Sequence, residues 1–182
     1  MIIANQKRRE NIAEYLLYMW QVEDILRASD CDMEAIERNI ISRYNLDDKQ
    51  LQQERDWWES LIIMMKDEGV KEKGHLQINK NVLIRLTDLH LQLLHDPKHP
   101  DYGAEFYRTL PFIVELRAKT PTEQQVGELE TCFNALYGVL MLKLQGREIS
   151  PDTQQAIAQI SKFIGRLAAY FKKDEEGQLT QE

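Results

Sequence analysis

Apolar residues recur with helical spacing along almost the whole chain. At about 100° per residue, Ile12, Tyr15, Leu16, Met19, Val22 and Leu26 share one broad face of the segment 10–26, and Tyr18, Trp20 and Ile25 widen it on both flanks. Only a strip with Glu14, Gln21 and Asp24 is left for water. The segment therefore reads as a central helix with neighbours on two or three sides. Glu23 breaks the pattern, because it projects into the apolar face between Met19 and Leu26. A carboxylate there must be paired, hydrogen-bonded or protonated, since an unpaired buried charge is costly. A structural tie to a neighbouring helix is the plain reading, and a ligand or proton site inside the bundle is the sharper one.

Further helices follow in order. Ser29-Asp30-Cys31-Asp32 is a turn whose aspartates can cap a helix from Met33 to about Tyr44, burying Met33, Ile36 and Ile40. Asp47 with Gln50 three residues on forms a capping box, and the helix it starts runs to a stop at Gly69. Its stripe carries Leu51, Trp58, Leu61, Ile62 and Met65, with Trp57 and Met64 to one side and Arg55 at the edge as a conceivable partner for Glu23. The charged connector between Gly69 and His75 marks the best place for a subdomain boundary. From Leu76 to His95, Ile78, Val82, Leu86, Leu89 and Leu93 point inward and His90 sits between two apolar sets.

The prolines of Asp96-Pro97-Lys98-His99-Pro100 make that stretch a loop. The helix after it, from about Tyr102 to Lys119, presents Phe106, Leu110, Ile113 and Val114, and Pro111 inside it predicts a kink or break near Tyr107 to Leu110. Thr120-Pro121-Thr122-Glu123 and Ser150-Pro151-Asp152 read as two more helix starts. The first opens a helix to about Gln145, burying Val126, Leu129, Phe133, Leu136, Tyr137, Leu140 and Leu144; the second buries Ile157, Ile160, Ile164, Leu167, Ala168 and Phe171. Alternating apolar patterns are absent, so the expectation is an all-α fold: a single-domain bundle of about seven helices over 1–173, kinked near Pro111, with a flexible acidic tail over 174–182.

Composition narrows the chemistry. The 182 residues carry a net charge of −7, which disfavours a nucleic-acid or anionic-membrane surface, and the basic run Lys7-Arg8-Arg9 does not change that. No apolar stretch is long enough to span a bilayer. Met1-Ile2-Ile3-Ala4 precedes its charges instead of following them, unlike a secretory signal, so a cytoplasmic location is expected. Cys31 and Cys132 form no disulfide framework or redox motif. Glycine-rich phosphate loops are missing, and no cofactor is expected. The one Glu-x-x-His pair, Glu72 to His75, straddles Gly74, which argues against a di-iron bundle. His90 and His95 point about 140° apart on a helix, and His99 lies beyond Pro97, so no metal site is assigned.

The opening Met1-Ile2-Ile3-Ala4, Lys7-Arg8 and the run from Glu10 through Asp24, together with the Trp57-Trp58 helix, resemble the uncharacterised bacterial family called domain of unknown function 4924. That resemblance implies an all-helical bacterial protein and supplies no catalytic residues. Two expectations of function remain. The preferred one is a non-enzymatic interaction module, as a homodimer or with another protein, using apolar positions left off the main stripes such as Trp57, Met64, Ile84 and Leu91. The alternative is a small-ligand-binding bundle whose pocket is formed near Glu23, Tyr15, Trp20, Trp58, Arg55 and His90. An enzyme with an unfamiliar site ranks third.

Overall fold

The computed structural model describes residues 1–179 and is all-helical among them. Eight α-helices occur in the described chain: α1 (Ile2–Glu10), α2 (Ile12–Ala28), α3 (Met33–Asn39), α4 (Asp48–Asp67), α5 (Gln77–His95), α6 (Pro100–Ala118), α7 (Glu128–Leu144) and α8 (Pro151–Glu175). The extra helix relative to expectation is α1. Asn11 separates it from α2 by leaving the helical region at φ −154°, and its side chain accepts the N–H groups of Ala13 and Glu14. An asparagine at that position caps well, so α2 starts at Ile12 and a separate helix precedes it. Lys7, Arg8 and Arg9 consequently close α1, where they suit the negative end of its dipole.

The chain divides into two compact units, Met1–Val82 and Leu83–Glu182, and the division falls within α5, beyond the connector 69–75. In the first unit α1 packs on α2 and α3 packs on α4. Its core holds Leu16, Met19, Trp20, Val22 and Leu26 of α2, Ile36 of α3, and Trp58, Leu61 and Met65 of α4, all essentially shut off from solvent. Asp47 caps α4 through the expected box with Gln50. The helix predicted up to Tyr44 ends early: α3 stops at Asn39, a short 3₁₀ turn covers Ile41–Arg43, and Ile41 is the buried residue where Ile40 was expected.

In the second unit α6, α7 and α8 pack on one another. Tyr102, Phe106 and Ile113 of α6 meet Cys132 and Phe133 of α7 and Ile160, Phe163, Leu167 and Phe171 of α8 in the core. Helix α6 runs through Pro111 without a break. Pro111 lies on its solvent face, where water can take the Tyr107 carbonyl that the proline leaves without a donor. Val114, expected inward, is 57% exposed, and Leu144 is 69% exposed. The start expected at Thr120-Pro121 gives only a 3₁₀ turn over Thr122–Gln124, and α7 begins later with Gly127 as its cap. Ser150 does cap α8, accepting from the Thr153 N–H. The tail expected over 174–182 is helical through Glu175 and continues as a turn to Leu179; its last three positions lie outside the described residues.

Candidate functional site

Glu23 is completely buried, and its carboxylate is fully engaged within the first unit. Oε1 accepts the backbone N–H of Leu76 at 2.8 Å and the side-chain amide of Asn79 at 2.7 Å; Oε2 meets His75 Nδ1 at 2.6 Å. The carboxylate thus caps the start of α5 from across the unit, a position where helix N–H groups lack partners and a negative charge is favoured. The His75 ring stacks on Trp20, with centroids 4.2 Å apart and planes 14° from parallel. The approach to this clamp is fixed by Arg27, whose guanidinium donates to the carbonyls of Val70 and Gly74, and by a Lys71–Asp30 ion pair of 2.7 Å. The connector singled out as the candidate subdomain boundary is therefore tied to the end of α2.

Of the six residues proposed from sequence, five lie in the first unit and His90 lies in the second. Arg55 is not the partner of Glu23: its guanidinium donates to both oxygens of Glu37 at 2.9 and 2.5 Å, joining α4 to α3. Trp58 is a core residue, edge-on to Trp57. Tyr15 is buried with the Arg8 guanidinium 5.7 Å above its ring. Trp20 does sit beside Glu23, through His75. His90 belongs to the second unit, where Nδ1 lies 2.7 Å from the Tyr102 hydroxyl inside a cage of Phe106 and Phe163. Burial lowers its pKa to about 4, so the imidazole is neutral near pH 7.

Sequence reasoning missed His75 and Asn79. Asn79 carried a usable signal: it falls on the inward face of α5 between Leu76 and Val82, so it interrupts an apolar stripe as Glu23 does. The structure buries Asn79 and leaves its neighbour Ile78, expected inward, 36% exposed. Two polar interruptions on two amphipathic helices are natural partners, because the Asn79 amide donates to a carboxylate oxygen that burial has cut off from water.

Other polar groups are similarly committed. Glu105 on α6 is buried and joins α8 through Lys162 at 3.0 Å and Gln159 at 2.7 Å. Burial pushes its pKa up, but the bonds from Lys162 and Gln159 and the nearby cations outweigh that and hold it below the ordinary carboxylate value. His95 Nδ1 contacts the Leu91 carbonyl, and His99 lies beside Asp96 and Tyr170. No group of three His, Cys, Asp or Glu is placed to hold a metal among the described residues. Burial raises the thiol of Cys132 to about 12, and burial also raises Cys31, so neither is an activated nucleophile.

A cavity of about 240 Å³ opens in the first unit between Ile2, Ile3, Tyr18, Tyr44 and Leu46, with Glu54 at its edge. Glu54 is already occupied by the Met1 amine and the Ile2 N–H. Burial raises Tyr18 to about 12, with Tyr44 and Glu54 adding to the shift, so its hydroxyl keeps its proton.

These features define a class of all-helical protein whose buried carboxylates Glu23, Glu54 and Glu105 each join separate parts of the chain. No described helix is long and apolar enough to cross a membrane. The chain belongs to the family DUF4924, described as a domain of unknown function, whose profile matches residues 1–178. No curated protein and no solved structure matches it.

Proposed function

We propose that the chain is a helical interaction module that works through protein–protein contact, with self-association as its simplest form. The observation that carries this reading is a surplus of large apolar side chains on outer helix faces of the second unit. On α6 Tyr107 and Val114 are 66% and 57% exposed, and on α5 Ile84 and Leu91 are 53% and 49% exposed. Each pair is spaced by seven residues, so each lies along one side of its helix. Scattered apolar residues on a surface are ordinary, whereas repeats along one helix side resemble the seams helices use to bind other helices.

The ligand-binding alternative has less support at Glu23, whose oxygens face three protein donors. It is better placed at the Tyr18–Tyr44 cavity, which at about 240 Å³ falls below the roughly 300–1,000 Å³ of sites for drug-sized molecules. Native mass spectrometry together with sedimentation velocity separates the two. A species of twice the chain mass that grows with concentration supports the module. A monomer at every concentration with a reproducible added mass refutes it in favour of the cavity.

A further inference from the structure

The outer face of α6 has a feature the outer face of α5 lacks. Its exposed residues Ala104, Tyr107, Pro111, Val114 and Ala118 follow spacings of three, four, three and four. At 100° per residue they fall within an arc of about 80°, on the side opposite the buried Tyr102, Glu105, Phe106, Thr109 and Ile113. That is the a/d pattern of a two-helix seam, drawn on solvent. The Tyr107 ring lies back along the helix over Gly103, where a Cβ would sit 4.0 Å from it, so the seam is smooth there.

Charge decides the occupant. One flank of the seam carries Arg108 and Glu115, of opposite sign and placed almost symmetrically about Pro111. The opposite flank carries Gly103 and Leu110. When two copies of a helix pack antiparallel about a twofold axis, like flanks meet and the sequence order reverses. An axis at Pro111 then sets Arg108 against Glu115 of the other copy twice over, Tyr107 against Val114, and Ala104 against Ala118. Parallel packing joins opposite flanks, setting Arg108 beside Gly103 and Glu115 beside Leu110, and gains no charge pair. Both charged side chains are exposed; Arg108 has a 3.7 Å contact with Glu105 and Glu115 a 2.7 Å bond to Lys119 within its own helix.

We infer that the α6 face binds a second copy of this chain as an antiparallel, twofold helix pair centred on Pro111, with Arg108 of each copy on Glu115 of the other. This inference rests on the reading of the chain as an interaction module. The 19 residues of α6 span about 28 Å, so the pair alone buries less than the roughly 800 Å² per partner of a standard interface, and the dimer is of the weak, concentration-dependent kind.

The test is sedimentation velocity of the full chain from low micromolar to near millimolar concentration, with helix content checked by circular dichroism. Arg108→Glu and Glu115→Arg, made singly, each place like charges at both ends of the pair and are expected to weaken association about tenfold. The double exchange R108E/E115R restores the opposite-charge pairs and should return the dissociation constant to within about threefold of the starting chain. Val114→Ser, on the seam itself, should weaken association without changing the helix signal. If the starting chain dimerises but the double exchange is as weak as the singles, or no variant has an effect, the α6 pairing is wrong while the module reading stands. If the starting chain never associates, both fall.

Discussion

Glu23 can be tested by two substitutions that separate its charge from its capacity to accept hydrogen bonds. In Glu23→Gln the remaining oxygen can stay where Oε1 is, because that one atom receives both the Leu76 N–H and the Asn79 amide. The new amide nitrogen then faces His75 Nδ1, and the imidazole, 28% exposed at its side chain, can accept there by carrying its proton on the other nitrogen. All three contacts survive as neutral bonds. The loss is the charge assistance, about 1–2 kcal/mol. In Glu23→Met the volume is similar but nothing accepts: the Leu76 N–H and the Asn79 amide are stranded at positions with 0% and 1% exposure. Two buried orphan donors cost about 1–3 kcal/mol each, offset in part by the apolar methionine, for a net loss of about 3–4 kcal/mol.

The assay is urea unfolding followed by circular dichroism, paired with amide exchange at Leu76. The expected order is starting chain, then Gln, then Met, with Leu76 exchange fastest in Met. Equal losses in the two variants would refute the division of labour between the two oxygens, since they would make the His75 contact the dominant one. No loss in Met would refute the clamp altogether.

The remaining expectations concern caps and pH. Asn11→Ala removes the cap that starts α2 and should cost about 1 kcal/mol in the same unfolding assay, with the α1–α2 junction the first region to lose exchange protection. His90 resists protonation in the folded chain, so below its ordinary value of 6.5 the unfolded chain binds the extra proton. Its contribution to stability should decline as pH falls from about 6.5 toward about 4, by roughly 3 kcal/mol over the whole interval, and His90→Gln should flatten that limb. Glu105 is also shifted down, in its case because its carboxylate is held ionised by Lys162 and Gln159: its contribution is present above the unfolded value of 4.5 and is lost as pH falls through the lower folded one. Glu105→Gln should therefore reduce stability at neutral pH and shrink the acid-induced loss below about 4.5, leaving the His90 limb unchanged.

Which features are legible in the sequence follows from the range of the forces involved. Asp47 with Gln50, and Ser150 with Pro151, are readable because a cap acts within one turn of itself. Asn11 carries the same local chemistry, yet the apolar periodicity that begins at Ile12 draws the helix start back to Glu10 and masks the cap. The Thr120-Pro121 start fails for a related reason: a capping pattern permits a helix without requiring one, and Gln125, whose side chain returns to the carbonyls of Arg117 and Thr120, holds the turn in another course. Val114 and Leu144 are expected inward because helical periodicity marks an apolar residue without saying whether a neighbour covers it.

The candidate site shows the same division more sharply. Glu23 stands out as a buried carboxylate because one helix's own pattern condemns it, but its partners lie more than fifty residues away and no local rule points to them. Arg55 is the attractive partner on charge alone, and charge alone misleads. A guanidinium at the edge of a stripe reaches another edge residue, here Glu37, at little desolvation cost, whereas following Glu23 into the core would strip its water. The groups that do reach Glu23 are a backbone N–H, a neutral amide and a partly exposed imidazole, each cheaper to dehydrate than an arginine. For a fully buried carboxylate in a helical chain, a polar residue that interrupts another apolar face near a helix start is thus a better partner to search for than the nearest cation. Asn79, in the first turn of α5 and flanked on its face by Leu76 and Val82, meets that description on the pattern of the chain alone.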